Sequence, residues 1–377
     1  MARAYLDAAS AAPLRPAALA AMREALEVAQ ADPGRSYAEG LRTRDLLESA
    51  RQQVAAFVVA RPSQVTFTSG LPEIAATVMA HGRARRPGPV VLSSVERSAI
   101  HDAAVAGGDV VILPVDPGGQ VDQEALEVVL GAQPALLALQ WANQETGVLQ
   151  DLEALLGAAQ RHGVPTLLDA TTAAGHLPID ATALGATFLA VSAEGFGGPV
   201  GIAAVVVGRG VVLQPLLRGG AQERGRRAGL EPLVLAAGMG AAAAVLTPDE
   251  LTAEAERARH LMAGLEAAAT AVEGVEVVGG RGSVHRAPHL LCCTIVGVEA
   301  EAVVVGLDRR GVAVHSGAAC AAETIEESPV LAAMGLDAAH SLRCSVSWAT
   351  TGAEVARFAE AFSPTVADLH RLGSQLR

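Results

Sequence analysis

Seven short, nearly continuous apolar runs, at 65–68, 90–93, 110–114, 136–140, 166–169, 188–192 and 203–207, constrain this chain more than any other feature. Apart from Val65-Thr66-Phe67-Thr68, they lack the strict in-and-out alternation of a strand with one wet face, so both faces of the sheet they build must be covered. Helical stretches at 17–29, 43–59, 124–130 and 152–161 lie before and between them. Strands and helices in this order predict an α/β fold: a mostly parallel sheet flanked by helices. After residue 247 the pattern changes to shorter strands at 290–296 and 341–347, with helices at 250–272, 300–310 and 353–363. The expected division is a large α/β domain over 13–246 and a smaller α+β domain from 1–12 and 247–377. A hydrophobic content of 51% against 18% charged residues is ample for such a core.

In sheets of this kind ligands collect beyond the carboxyl ends of the strands, and Asn143, Asp169 and Ser192 stand at those ends. A net charge of -12 argues against a nucleic-acid surface, which needs a concentrated basic patch. Arg224, Arg226 and Arg227 are flanked by Glu223 and Glu231 and read as an interface or anion-holding turn. The apolar run 232–246 is too short to span a bilayer and contains Gly238 and Gly240, so it reads as a buried helix and no membrane partner is expected. Cys292, Cys293, Cys320 and Cys344 lack the spacing of a metal site, and His101, His285 and His289 are scattered. No metal is expected; the histidines read as structural or surface residues, and Cys292, Cys293 and Cys344 as core. The segment around Tyr5-Leu6-Asp7 shows no secretory pattern, so the expected location is the cytoplasm.

Several ordered motifs run through the chain. They are Val65-Thr66-Phe67-Thr68-Ser69-Gly70, Asn143-Gln144-Glu145-Thr146-Gly147, Leu168-Asp169-Ala170-Thr171, Gly219-Gly220-Ala221-Gln222-Glu223-Arg224-Gly225, Ser316-Gly317-Ala318-Ala319-Cys320 and Ser341-Leu342-Arg343. Together they resemble the cysteine desulfurases, members of the class V aminotransferase family with the fold type I architecture, from Tyr5 to about Phe362. The resemblance implies pyridoxal phosphate carried on a lysine, abstraction of the Cα proton of cysteine, and transfer of sulfur to a mobile-loop cysteine. By position it implies Asp169 against the pyridine nitrogen, Asn143 on the ring hydroxyl and Ser192 in the pocket wall. Arg343 takes the place of the substrate-carboxylate clamp and Cys320 that of the sulfur acceptor. It also implies a homodimer whose sites form at the subunit boundary, with the turn 219–229 reaching across, and a sulfur-acceptor protein as partner.

The departures concern the coenzyme. The sequence contains no lysine; all 28 basic residues are arginine. Guanidinium stays protonated and has no lone pair to condense with a carbonyl. The family's Ser-Gly-His-Lys turn reads Ser192-Ala193-Glu194-Gly195, which places Gly195 at the Schiff-base position and Glu194 near the phosphate. Pro72 and Leu230 replace two phosphate-binding threonines, Arg97 the histidine stacked on the ring, and Thr172 a glutamine. These changes lead to the expectation of no coenzyme, with Arg97 paired to Asp169 in the vacated pocket. Arg343 is then expected to hold a carboxylate ligand or Glu194. Three functions follow: a non-catalytic subunit, regulator or sulfur-handling partner; an enzyme with a remodelled pocket using Cys320 as nucleophile or sulfur carrier; or a desulfurase active only with a Lys-bearing paralogous subunit.

Overall fold

The structure is a computed structural model and describes residues 3–28, 31–279, 285–316 and 328–375. The chain opens with β1 (Ala4–Tyr5) and then builds a seven-stranded sheet from β2 (Val65–Thr68), β3 (Val90–Ser93), β4 (Val110–Leu113), β5 (Leu136–Gln140), β6 (Thr166–Asp169), β7 (Phe188–Ser192) and β8 (Ala203–Val207). The strand order is β2-β8-β7-β6-β5-β3-β4. Five strands from β7 to β4 run parallel, whereas β8 is antiparallel to both β7 and β2. The apolar runs have a direct cause: the central strands β3, β5, β6 and β7 each feed two cores, whereas β2 gives only Val65 and Phe67, to one of them. Val91, Leu137, Leu139, Leu168 and Leu189 point to one face and Val90, Leu92, Leu136, Ala138 and Leu167 to the other.

On the first face, the helix Leu233–Val245 packs against Pro16–Val28 and Ala38–Phe57. Gly238 and Gly240 do not interrupt this helix. They are where its neighbours approach: a Cβ on Gly240 would stand 2.7 Å from the Ala50 Cα, and one on Gly238 2.7 Å from the Met22 Cγ. The helix anticipated at 43–59 begins earlier, at Ala38, after an uncapped Tyr37.

Beyond the long helix Pro248–Thr270 the chain forms β9 (Val275–Val277), β10 (Leu290–Ile295), β11 (Val312–Ala313) and β12 (Ser341–Ser345). Strands β12, β10 and β9 make an antiparallel sheet, and β1 pairs with β11. Their own apolar core includes Leu265, Leu291, Leu342, Phe358 and Phe362, together with Cys293 and Cys344. The last helix runs from Gly352 to Gln375, through Pro364 and well past the helix expected at 353–363.

Candidate functional site

The carboxyl ends of β5, β6 and β7 bring the expected residues to one edge of the large sheet. Asp169, the last residue of β6, is 4% exposed. Its Oδ1 accepts the Thr171 amide (2.8 Å) and the Thr171 hydroxyl (2.6 Å). That leaves Oδ2 turned toward Arg97, whose Nε lies 3.7 Å away. Arg97 also donates from Nε to Gln144 Oε1 (3.2 Å) and from Nη2 to Thr172 Oγ1 (3.3 Å). The anticipated pairing is therefore present, and Thr172 takes part in it.

Asn143 is committed elsewhere. Its Oδ1 accepts from the amides of Glu145 (2.9 Å) and Thr146 (2.8 Å) and from the Thr146 hydroxyl (3.1 Å). Its Nδ2 donates to the Val95 carbonyl (3.1 Å) and Gln140 Oε1 (3.3 Å). All of this amide's capacity goes into holding the tight turn that follows β5, which closes at Gly147 with φ +76°. In this arrangement Asn143 fixes the wall of the site and offers nothing to a ring hydroxyl.

Arg343, 2% exposed on β12, is likewise satisfied within the chain. Nη2 donates to Asp7 Oδ1 (2.7 Å) and Ser10 Oγ (2.8 Å), and Nη1 to the Gln144 carbonyl (3.0 Å). Only Nε is buried without a partner. Among the described residues the carboxylate on this clamp is Asp7, and not Glu194, which was expected as one possible occupant.

Ser192 is buried at the end of β7. Glu194 and Gly195 lie in the single 3-10 turn Glu194–Phe196 that follows, where a Cβ on Gly195 would meet only the Thr171 carbonyl, at 3.4 Å. Pro72 sits in the first turn of the helix Leu71–Arg85, and the Ser69 amide just before it donates to Glu73 Oε2 (2.9 Å). The Thr68 hydroxyl at this corner is buried without a partner. Leu230, 64% exposed, precedes the helix Leu233–Val245. Cys320 lies outside the described residues.

Two features escaped the sequence reading. Glu96 is 5% exposed beside Arg97; Oε1 accepts the Gln140 amide (2.9 Å) and the Ser93 hydroxyl (3.2 Å), while Oε2 has no partner. Burial pushes its carboxyl up to about 8, and the nearby charge of Asp169 adds to this. An acidic residue three positions beyond the strand Val90–Ser93, on the side where ligands collect, was the available signal. The second feature is a stack of His176 on His289, with centroids 3.4 Å apart and an interplanar angle of 9°. His176 Nε2 donates to the Gly195 carbonyl at 3.2 Å. Burial lowers His176 to about 4, and it lowers His289 well below its ordinary value, helped by His176 and Arg343. His289 is thus a buried structural residue, and the two rings are neutral.

The profile of the class V aminotransferases matches residues 4–358, and this chain belongs to that family. It is 36% identical to a cysteine desulfurase of Cereibacter sphaeroides, over 99% of this chain and 98% of that protein. It is 33% identical to an IscS-like cysteine desulfurase of Mycobacterium tuberculosis, over 98% and 97%. The fold matches a NifS-like protein from Rickettsia africae with a TM-score of 0.88 at 26% identity, covering 97% of this chain and 99% of that one. The chain is a cysteine desulfurase-like protein of fold type I. Among the described residues no single helix is long and apolar enough to cross a membrane.

Family membership overturns the expectation of no coenzyme. The class V cysteine desulfurases use pyridoxal phosphate, and end-to-end similarity to them points to its use here. The residues present suit a coenzyme held without a covalent bond. Asp169 Oδ2, which faces Arg97 at 3.7 Å, would hold the ring nitrogen in its place; the buried, unpartnered Thr68 hydroxyl at the end of β2, just before the helix Leu71–Arg85, would meet the phosphate. When bound against a carboxylate, the protonated ring supplies an electron sink. What the chain does not supply is an amine: with no lysine, no side chain can make the Schiff base.

Proposed function

We propose that this protein is a cysteine desulfurase-like subunit that does not complete the desulfurase reaction on its own. It acts as a regulator or sulfur-handling partner, as a homodimer or beside a Lys-bearing paralogue, in the cytoplasm. The observation that carries this reading is the pairing of Arg97 with Asp169 in a chain without lysine. The group that would make the coenzyme reactive is engaged, and the group that would anchor it is missing. The internal commitments of Asn143 and Arg343 support the same reading, since neither is free to hold a substrate. Cys320, by its place in the sequence, is the residue we assign to receive sulfur.

The test is alanine and sulfide release from cysteine, with pyridoxal phosphate supplied. The purified chain alone is expected to release neither, and mixing it with a Lys-bearing paralogue is expected to change that enzyme's rate. Persulfide on Cys320, read by mass spectrometry against Cys320→Ser, checks the sulfur role. Sustained alanine production by the isolated chain would refute the reading.

One observation favours a second reading, an enzyme with a remodelled pocket. Glu96 is a buried, protonated acid with one oxygen unpartnered, next to the Arg97–Asp169 pair. Such a group can deliver a proton to a small molecule bound there. Turnover of another substrate that is abolished in Glu96→Gln would establish it.

A further inference from the structure

We infer that Arg97 is a built-in stand-in for the positive ring nitrogen of the coenzyme, so that this pocket takes up pyridoxal phosphate only by exchanging one cation for another at Asp169. The two members of the pair are held very differently. Asp169 is fixed at the end of β6 by two short hydrogen bonds to Thr171, and its side chain is 4% exposed. Arg97 is 24% exposed, reaches Asp169 only at 3.7 Å, and is steadied by bonds of 3.2 and 3.3 Å to Gln144 and Thr172. The guanidinium has a way out to solvent and the carboxylate has none.

Arg97 is also the N-cap of the helix Ser98–Ala106 and makes no side-chain cap bond there. Its long side chain can swing outward without unwinding that helix. Of the two carboxyl groups near it, Glu96 is kept neutral by burial, so the charge that retains Arg97 is that of Asp169.

These facts define the ligand class. A ring that arrives without positive charge displaces Arg97 and leaves Asp169 buried and unpaired, which is strongly unfavourable. A phosphorylated aromatic aldehyde with a protonated ring nitrogen replaces the lost charge. Arg97 therefore acts as a specificity-determining residue as well as an occupant. The inference stands apart from whether the chain is catalytically silent, because uptake and turnover are measured separately.

The experiment is an equilibrium titration of the full chain with pyridoxal phosphate, read by coenzyme absorbance and by the fluorescence of Trp141, whose amide donates to the Asp169 carbonyl at 2.8 Å. A lysine-free chain suits this titration, since no ε-amine is present to form surface adducts. Arg97→Ala and Arg97→Gln are expected to bind at least tenfold more tightly than the unaltered chain. An analogue with CH in place of the ring nitrogen is expected to bind at least tenfold more weakly than pyridoxal phosphate, and Asp169→Asn is expected to erase that preference. Circular dichroism on each variant establishes that it is folded. Unchanged or weaker binding by both Arg97 variants would overturn the inference, as would tightening in Arg97→Ala alone, which would make the effect one of space. Absence of saturable binding in every variant would overturn it too.

Discussion

Asp7 Oδ1 accepts a 2.7 Å hydrogen bond from Arg343 Nη2, joining two residues 336 positions apart at the edge of the site. The Arg343 side chain is 3% exposed and that of Asp7 18%, so the guanidinium depends on this carboxylate for its compensation. Removing one partner of a buried pair leaves the other charge uncompensated. Asp7→Ala is expected to lower stability by about 3 kcal/mol in urea unfolding. Asp7→Asn, which keeps an acceptor oxygen, is expected to cost about half as much.

A second buried pair fixes the turn 219–229. Arg51 Nη1 and Nη2 bind Glu223 Oε2 and Oε1 at 2.6 and 2.8 Å, and Oε2 also accepts the Phe67 amide at 3.0 Å. Both side chains are at most 2% exposed, and Glu223 holds a left-handed backbone at φ 49°. Glu223→Ala is expected to cost about 4 kcal/mol in denaturant unfolding. Glu223→Gln should fall between this and the unaltered chain.

The sheet was legible because most of its strands, such as Leu136–Gln140, are apolar on both faces, a property local to four or five residues. Its antiparallel edge was not, since the direction of β8 depends on how a turn after Gly195 returns the chain, and no periodicity encodes that. In the site, Asp169 could be matched because it stands in a motif, and Arg97 because it takes the family position of the ring-stacking histidine. The partners of Asn143 and Arg343 could not. Asn143 faces its own turn by rotamer, and Asp7 meets Arg343 only because β12 and the N-terminal segment lie side by side. The His176–His289 stack joins residues 113 positions apart, with no spacing rule to announce it.

Glu96 gives a signed pH dependence. Its carboxyl is raised from 4.5 to about 8, so between those values the folded state holds a proton that the unfolded state has released. Its contribution to stability is therefore fully present below about 4.5 and is lost as pH rises toward 8. Glu96→Gln keeps the neutral form at every pH. Relative to the unaltered chain it is expected to gain stability as pH climbs, by about 3 to 5 kcal/mol at pH 8 in urea unfolding.

His176 acts in the opposite sense. Burial lowers it from 6.5 to about 4, so between these values the unfolded state binds the extra proton. Its contribution is complete above about 6.5 and is lost as pH falls toward 4. Because the ring keeps part of its surface in solvent, the expected effect is discounted to about 2 kcal/mol. His176→Gln should flatten the acid limb of the stability profile by that amount.

The assignment of Gly195 to the anchoring position can be tested by putting an amine there. Gly195 lies outside the left-handed region, and a Cβ on it meets a single backbone oxygen at ordinary van der Waals distance, 3.4 Å. Gly195→Lys should therefore fold with a change in stability below about 1 kcal/mol. Incubation with pyridoxal phosphate and then borohydride is expected to leave the coenzyme's mass on the peptide containing residue 195 and on no other internal peptide, because the rest of the chain has no lysine. Adding Arg97→His, which clears the guanidinium from Asp169, is expected to raise the labelled fraction at low coenzyme concentration at least severalfold. A folded Gly195→Lys chain that takes no label, alone or with Arg97→His, would show that the turn Glu194–Phe196 does not face the coenzyme.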